Sequence, residues 1–204
     1  MHRLGPARIS GDHQNSPKKE NILNEQELTE LSDDLRAYVG GRRDSKRELA
    51  LLRKIRALPQ AMRQQLLVPL LDLNAGVALV LIHRAQLSRA AYLAVLQRGL
   101  DEADASAISY WMSTTVVHLG WRRVFSVLRQ ELSVKPRRVA AALYHVPYLC
   151  RSKQTLSGSL PTAALLDEFC QLVMLCHEKG YAVCTDREAF QAIRDRARQT
   201  TGSP

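Results

Sequence analysis

Aromatic residues make up only 5% of this 204-residue chain while apolar residues reach 46%. The interior therefore has to be filled mainly by Leu, Val, Ala and Ile, the composition of helices packed on helices. Glycines do not cluster between a strand and a helix, which leaves no seat for a phosphate-binding loop or for the nucleotide-dependent catalysis it serves. Neither a Cys-x-x-Cys nor a His-x-x-x-His pair occurs, so no metal and no cofactor is expected. An uninterrupted apolar run is missing too. Residues 66–82 are broken by Pro69, Asp72, Asn74 and Gly76, short of the ~20 residues a membrane span needs, and a buried hairpin without membrane insertion is expected instead. Residues 1–20 are polar and lack the apolar core of a signal peptide. Cys150, Cys170, Cys176 and Cys184 are then expected to be reduced thiols, and the location cytoplasmic.

Acids are in short supply. Lys and Arg total 29 against 20 Asp and Glu, a formal charge of +9, which favours an acidic protein partner or nucleic acid. The surplus sits in two blocks. One comprises Arg42, Arg43, Lys46, Arg47, Arg53 and Lys54; the other comprises Arg122, Arg123, Arg129, Arg137 and Arg138. Arginine's planar fork of donors suits carboxylate and phosphate alike, so charge by itself leaves both partners open.

Helical periodicity runs through most of the chain. Asn24 with Glu27 opens a helix carrying Leu28, Leu31, Leu35 and Tyr38, which Gly40 and Gly41 stop. Ser45 with Glu48 has the spacing of a reciprocal capping pair ahead of Leu51, Leu52, Ile55 and Leu58. A third helix over 59–73 is expected to bend at Pro69, and Asn74 to restart the chain into a central helix over 75–84 that is apolar nearly all round. Further helices are predicted over 88–99, 104–119, 121–132 and 136–149, with Gly120 as a left-handed cap and Pro136 at a first helical position. Val95, Leu96 and Leu100 recur about 32 residues later as Val127, Leu128 and Leu132, and Trp111 and Met112 as Leu143 and Tyr144. Thr162 begins a helix that Gly180 ends, residues 181–184 suit a short extended stretch, and Thr185 with Glu188 begins a last helix carrying Phe190, Ile193 and Ala197. The organisation expected is a disordered tail over 1–22, one helical domain over 23–199 and a flexible tail over 200–204. Within the domain, 59–150 is the repeat-like core, 151–160 a linker loop and 161–199 the C-terminal helices.

Lys135, Pro136, Arg137, Arg138, Val139, the alanines 140–142 and Leu143 resemble the start of the second helix in HEAT-like repeats, and residues 104–120 look like a weaker copy. The resemblance covers roughly residues 59–149. It implies an all-α fold of stacked helical hairpins, a right-handed α-solenoid in which neighbouring hairpins cover one another's apolar faces. The pattern also fits an irregular multi-helix bundle.

Candidate chemistry is sparse. His83, His118, His145 and His177 are expected near helix C-termini, where the dipole and free carbonyls favour them. Asp101, Glu102 and Asp104 precede Trp111 and Trp121, and a carboxylate beside aromatics is the one hint of glycosylase-like or other hydrolase chemistry. No catalytic residue is assigned. The function expected is a non-enzymatic helical-repeat adaptor or scaffold that binds another protein through its basic face, with phosphate contacts to nucleic acid as the alternative. Oligomeric state is not legible.

Overall fold

The computed structural model describes residues 24–151, 160–181, 191–193 and 195. Among them are nine α-helices and no strand. The expectations that rest on the tail 1–22, on the linker, on Cys184, on Thr185 with Glu188, and on Phe190 and Ala197 lie outside the described residues.

The helix starts follow from local chemistry. In α1 (Glu25–Gly40) the Asn24 carboxamide oxygen accepts from the Glu27 amide at 2.9 Å while Glu27 Oε2 accepts from the Asn24 amide at 2.9 Å. Two backbone donors that the helix cannot use are satisfied reciprocally. In α2 (Ser45–Ala57) the cap is Asp44, whose carboxylate accepts from the Lys46 amide at 2.9 Å, and not Ser45. Glu48 is thereby released from the expected capping pair. It accepts instead from the buried Tyr38 hydroxyl at 2.8 Å and pairs with Arg84, tying α1, α2 and α4 together.

The proline bend takes the form of a 3-10 turn, Val68–Leu70, between α3 (Gln60–Leu67) and α4 (Leu71–Ala85). Four residues later Asn74 leaves helical geometry at φ −160° and ψ 95°, and its side-chain oxygen accepts from the Val77 amide at 3.2 Å. The chain is re-capped there, as expected. The whole stretch Gln60–Ala85 is long and apolar enough to cross a membrane by length and composition alone. Here it is interrupted at both places, and Leu67, Leu70, Leu71, Val77, Leu81 and Ile82 are covered by neighbouring helices.

The next helix, α5 (Arg89–Glu102), runs past Gly99, which is buried mid-helix instead of ending it. A Cβ at Gly99 would lie 2.7 Å from Cβ, Cγ and Cδ2 of Trp111. Glycine is there to let α5 lie close against α6 (Ile108–Leu119). The latter begins at Ile108, later than expected, because Asp104 folds the preceding turn onto itself: its carboxylate accepts from the Ser106 amide, the Ser106 hydroxyl and the Ala107 amide at 2.7–2.9 Å. Gly120, at φ 78°, separates α6 from α7 (Trp121–Glu131), a backbone angle glycine adopts without penalty. Pro136 is the first residue of α8 (Pro136–Arg151). Thr162 caps α9 (Ala163–Glu178) by accepting from the Leu165 amide at 3.3 Å.

Packing follows an alternating order. The even-numbered helices form a row in which α2 packs on α4, α4 on α6 and α6 on α8. The odd-numbered helices flank it: α1 lies on α2 and α4, α3 on α4, α5 on α6 and α8, and α7 on α6, α8 and α9. The 32-residue correspondence holds for Val95, Leu96 and Leu100 and for their counterparts Val127, Leu128 and Leu132, all buried. It holds for Trp111 and Leu143 but fails at the next position, where Met112 is fully buried and Tyr144 is 37% exposed.

Candidate functional site

The basic residues are exposed except for the half-buried Arg138, and the two blocks lie on different helices of the fold. Arg42 and Arg43 occupy the α1–α2 connection; Lys46, Arg47, Arg53 and Lys54 project from α2. Arg122, Arg123 and Arg129 project from α7, and Arg137 and Arg138 from the first turn of α8. Two helices of the row, α4 and α6, stand between α2 and α8. At ~8–10 Å per packed helix the axes of α2 and α8 are at most about 30 Å apart.

Within each block, internal partners take some of the cations. Asp34 accepts Arg47 at 3.7 Å and Lys54 at 3.8 Å. Lys135 is held between Asp101 and Glu131 (2.9 Å to the latter), which pushes its ammonium above the ordinary lysine value. Arg138 donates to the carbonyls of Ala103 and Asp101 at the C-terminal end of α5. By contrast Arg122, Arg123, Arg129 and Arg137 are exposed and form no ion pair among the described residues, and the same holds for Arg42, Arg43, Lys46 and Arg53. In α7 the cause is the helical phase. Trp121, Val124, Phe125, Val127 and Leu128 are buried, which leaves Arg122, Arg123 and Arg129 on the opposite, solvated side.

Several arginines outside these blocks are structural. Arg63 donates to the carbonyls of Leu58 and Arg56 at 2.7 Å each, and to those of Ala85 and Gln86 at 3.1 and 3.2 Å. One guanidinium thus closes the C-terminal ends of α2 and α4 together, where orphan carbonyls concentrate negative partial charge. Arg56 adds two bonds to the Arg84 carbonyl at 2.6 and 2.9 Å. The sequence signal for Arg63 is a basic residue just past the proline that follows α2, in reach of carbonyls the helix leaves open.

The carboxylates near the tryptophans are all engaged. Asp101 pairs with Lys135 and Glu102 with Arg98, while the bonds from Ser106 and Ala107 hold the Asp104 carboxyl below its ordinary range. Trp111 and Trp121 are core residues, the latter edge-on to Phe169 at 6.0 Å. His118 stacks on the ring of Tyr92 at 3.9 Å and donates through Nε2 to the His83 carbonyl at 3.0 Å; burial lowers its pKa. His118 and His177 lie in last helical turns, but His145 sits mid-helix in α8, its Nε2 bonded to the Ala105 carbonyl at 2.9 Å. Cys150 and Cys176 are buried thiols, Cys150 pushed up to about 12 by desolvation. No group of three His, Cys, Asp or Glu side chains among the described residues is placed to hold a metal ion.

Two of the hollows among the described residues bear on these helices. One, about 320 Å³, lies at the start of α8 beside Lys135, Arg137 and Arg138. The other, about 300 Å³, is a groove between α4 and α6. Comparison of the chain with family models, with curated proteins and with solved structures found no match.

Proposed function

We propose that this chain is a non-enzymatic helical-repeat scaffold of the α-solenoid kind that captures an acidic protein partner through the arginines of α7 and α8. The α2–α4–α6–α8 row, flanked by the odd-numbered helices, supports the solenoid reading because successive hairpins then cover one another's apolar faces. The observation that carries the binding reading is the division among the cations at that end of the row. Lys135 and Arg138 are engaged internally, while Arg122, Arg123, Arg129 and Arg137 remain exposed without an acid. Guanidinium groups in that state keep their forks available for carboxylates. The proposal includes a cytoplasmic setting, in keeping with the free thiols of Cys150 and Cys176.

The test is fluorescence anisotropy of a labelled poly-glutamate peptide against the full chain and the triple variant Arg122→Glu, Arg123→Glu, Arg129→Glu. The parent should bind and the variant should lose at least ~10-fold in affinity, the equivalent of 1.4 kcal/mol. Equal binding by both removes the α7 face from the proposal. Phosphate contacts with nucleic acid are the competing reading, favoured by the second unpaired cluster, Arg42, Arg43, Lys46 and Arg53. A duplex that binds where poly-glutamate does not would select it.

A further inference from the structure

Exposed apolar side chains are distributed unevenly between the two sets of helices. Among the described residues, α1, α3, α5 and α7 expose no large apolar side chain and α9 exposes Met174 and Leu175, whereas the row α2, α4, α6 and α8 exposes Leu49, Leu73, Val80, Tyr110, Tyr144 and Tyr148. Tyr110 is 65% and Tyr148 55% exposed. Apolar side chains left exposed along successive helices of one row suit a contact surface.

Two features give that face a shape. The first is the groove between α4 and α6, walled by Leu79, Val80 and His83 on one side and by Tyr110 and Thr114 on the other. Gly76 forms part of its lining. A Cβ at Gly76 would meet only Asn74 Oδ1, at 3.5 Å, so neither packing nor a left-handed backbone requires glycine there. Its effect is to leave the groove open. The second feature is the stripe on α8, where Arg137, Tyr144, Tyr148 and Arg151 follow at spacings of seven, four and three and so share one side of the helix. The Tyr144 and Tyr148 rings lie 5.5 Å apart on it. Helix α6 stands between α4 and α8 in the row, so the helices that carry groove and stripe share it as a neighbour.

Charge decides what fits. Neither α6 nor α8 contains a single Asp or Glu, and Arg137 and Arg151 stand at the two ends of the tyrosine pair. An apolar ligand segment bearing carboxylates is therefore favoured over a basic one. The chain's own ends have the wrong sign. Residues 1–23 carry Arg3, Arg8, Lys18 and Lys19 against Asp12 and Glu20, and residues 196–204 carry Arg196 and Arg198 with no acid.

We infer that the outward side of α4, α6 and α8 docks an acidic amphipathic segment of another protein, seating one apolar side chain in the α4–α6 groove and its carboxylates on Arg137 and Arg151. This rests on the reading that the chain captures an acidic partner, and it moves the anchoring contacts from α7 to the even-numbered row. Aromatic and aliphatic anchors held in a pocket carry most of the affinity in such contacts, with charge supplying capture and register.

The probe is a fluorescein-labelled synthetic helical peptide with Leu and Glu at i, i+3 and i+4 spacing, titrated against the full chain. Controls are the same peptide with Lys for every Glu, and an oligothymidylate. The informative variant is Gly76→Leu, which fills the groove and replaces a poor helix former by a good one, so it should melt no lower than the parent. Its affinity for the Leu/Glu peptide should fall about 30-fold, the loss expected for one hot-spot anchor, and Tyr148→Ala should bring a similar loss. If Gly76→Leu binds like the parent while the α7 triple variant does not, the groove is overturned and the arginine reading of α7 stands. A loss in Gly76→Leu with none in the triple variant supports the groove and removes α7. Equal binding of the Leu/Lys peptide, or binding of the oligothymidylate alone, overturns the acidic occupant.

Discussion

Two glycines in helices separated by little sequence offer a matched experiment, because the same substitution should act with opposite sign. Replacing a helical glycine by alanine removes backbone freedom from the unfolded chain and stabilises the fold by about 0.5–1 kcal/mol where the site has room. Gly76 has room, since the added methyl meets only Asn74 Oδ1 at 3.5 Å. Gly99 has none, since the methyl would lie 2.7 Å from three atoms of Trp111, including its Cβ and Cγ. Those atoms are fixed close to the α6 backbone and cannot rotate away, so the two helices must separate. Overpacking of this kind costs about 1–3 kcal/mol, and subtracting the propensity gain leaves Gly99→Ala less stable by about 0.5–2 kcal/mol. Together the two variants should differ by roughly 1–3 kcal/mol, or about 2–12 °C in Tm at the ~2–4 °C per kcal/mol of chains this size. Urea and thermal melts of Gly76→Ala, Gly99→Ala and the parent decide it. A Gly99→Ala protein as stable as the parent would refute the close α5–α6 contact, whatever the other variant does.

The Arg63 guanidinium reaches four carbonyls at the ends of α2 and α4, so Arg63→Ala should cost about 2–4 kcal/mol in urea melts. Arg63→Lys should recover only part of this, because a point charge cannot replace the fork. Burial holds the His118 imidazole below its ordinary value of 6.5. The unfolded chain therefore takes up that proton first, and stability that is intact above about pH 6.5 is lost as pH falls through the lowered folded value. His118→Asn should flatten the urea midpoint between about pH 7 and 5. The Tyr38 phenol, pushed up to about 12 by burial and by its bond to Glu48, works in the opposite direction. Stability should decline as pH rises from about 10 towards 12, and Tyr38→Phe should remove that decline in phenolate-absorbance and melting titrations.

What the sequence made legible was chemistry that acts over three or four residues. Asn24 with Glu27, Thr162 before Leu165, Pro136 at a helix start and Gly120 at a positive φ are each settled by neighbours along the chain. Where a residue answers to a distant partner, local logic misplaced it. Gly99 suggested a helix end because its reason, Trp111, lies on another helix. Glu48 suggested a capping pair with Ser45, whereas Tyr38 and Arg84 claim it across the fold. The candidate site suffers the same way. The basic blocks could be counted in advance, but which cations stay unpaired depends on Asp34, Asp101 and the open carbonyls that Arg138 meets. The tyrosines of the even-numbered row were harder still, since Tyr144 occupies the repeat position of the core residue Met112 and differs from it in direction.

The separation of the two cationic clusters yields a last prediction, which bears on the nucleic-acid reading. For duplex DNA the affinity falls with salt at a log–log slope of about −0.9 per phosphate neutralised. A short duplex that reaches only Arg122, Arg123, Arg129 and Arg137 should give a slope near −3.6, about a hundredfold loss from 50 to 200 mM salt. Engaging Arg42, Arg43, Lys46 and Arg53 as well requires the ligand to cross α4 and α6, at most about 30 Å at ~8–10 Å per packed helix. At 3.4 Å per base pair that is at most about nine base pairs, and beyond that length the slope should steepen to about −7. A length series read by anisotropy at several salt concentrations tests this. A slope near −7 for duplexes too short to cross the row would mean that the clusters act as one surface. A slope near −3.6 at every length would confine phosphate contact to one cluster, and nucleic acid would then gain nothing from the second.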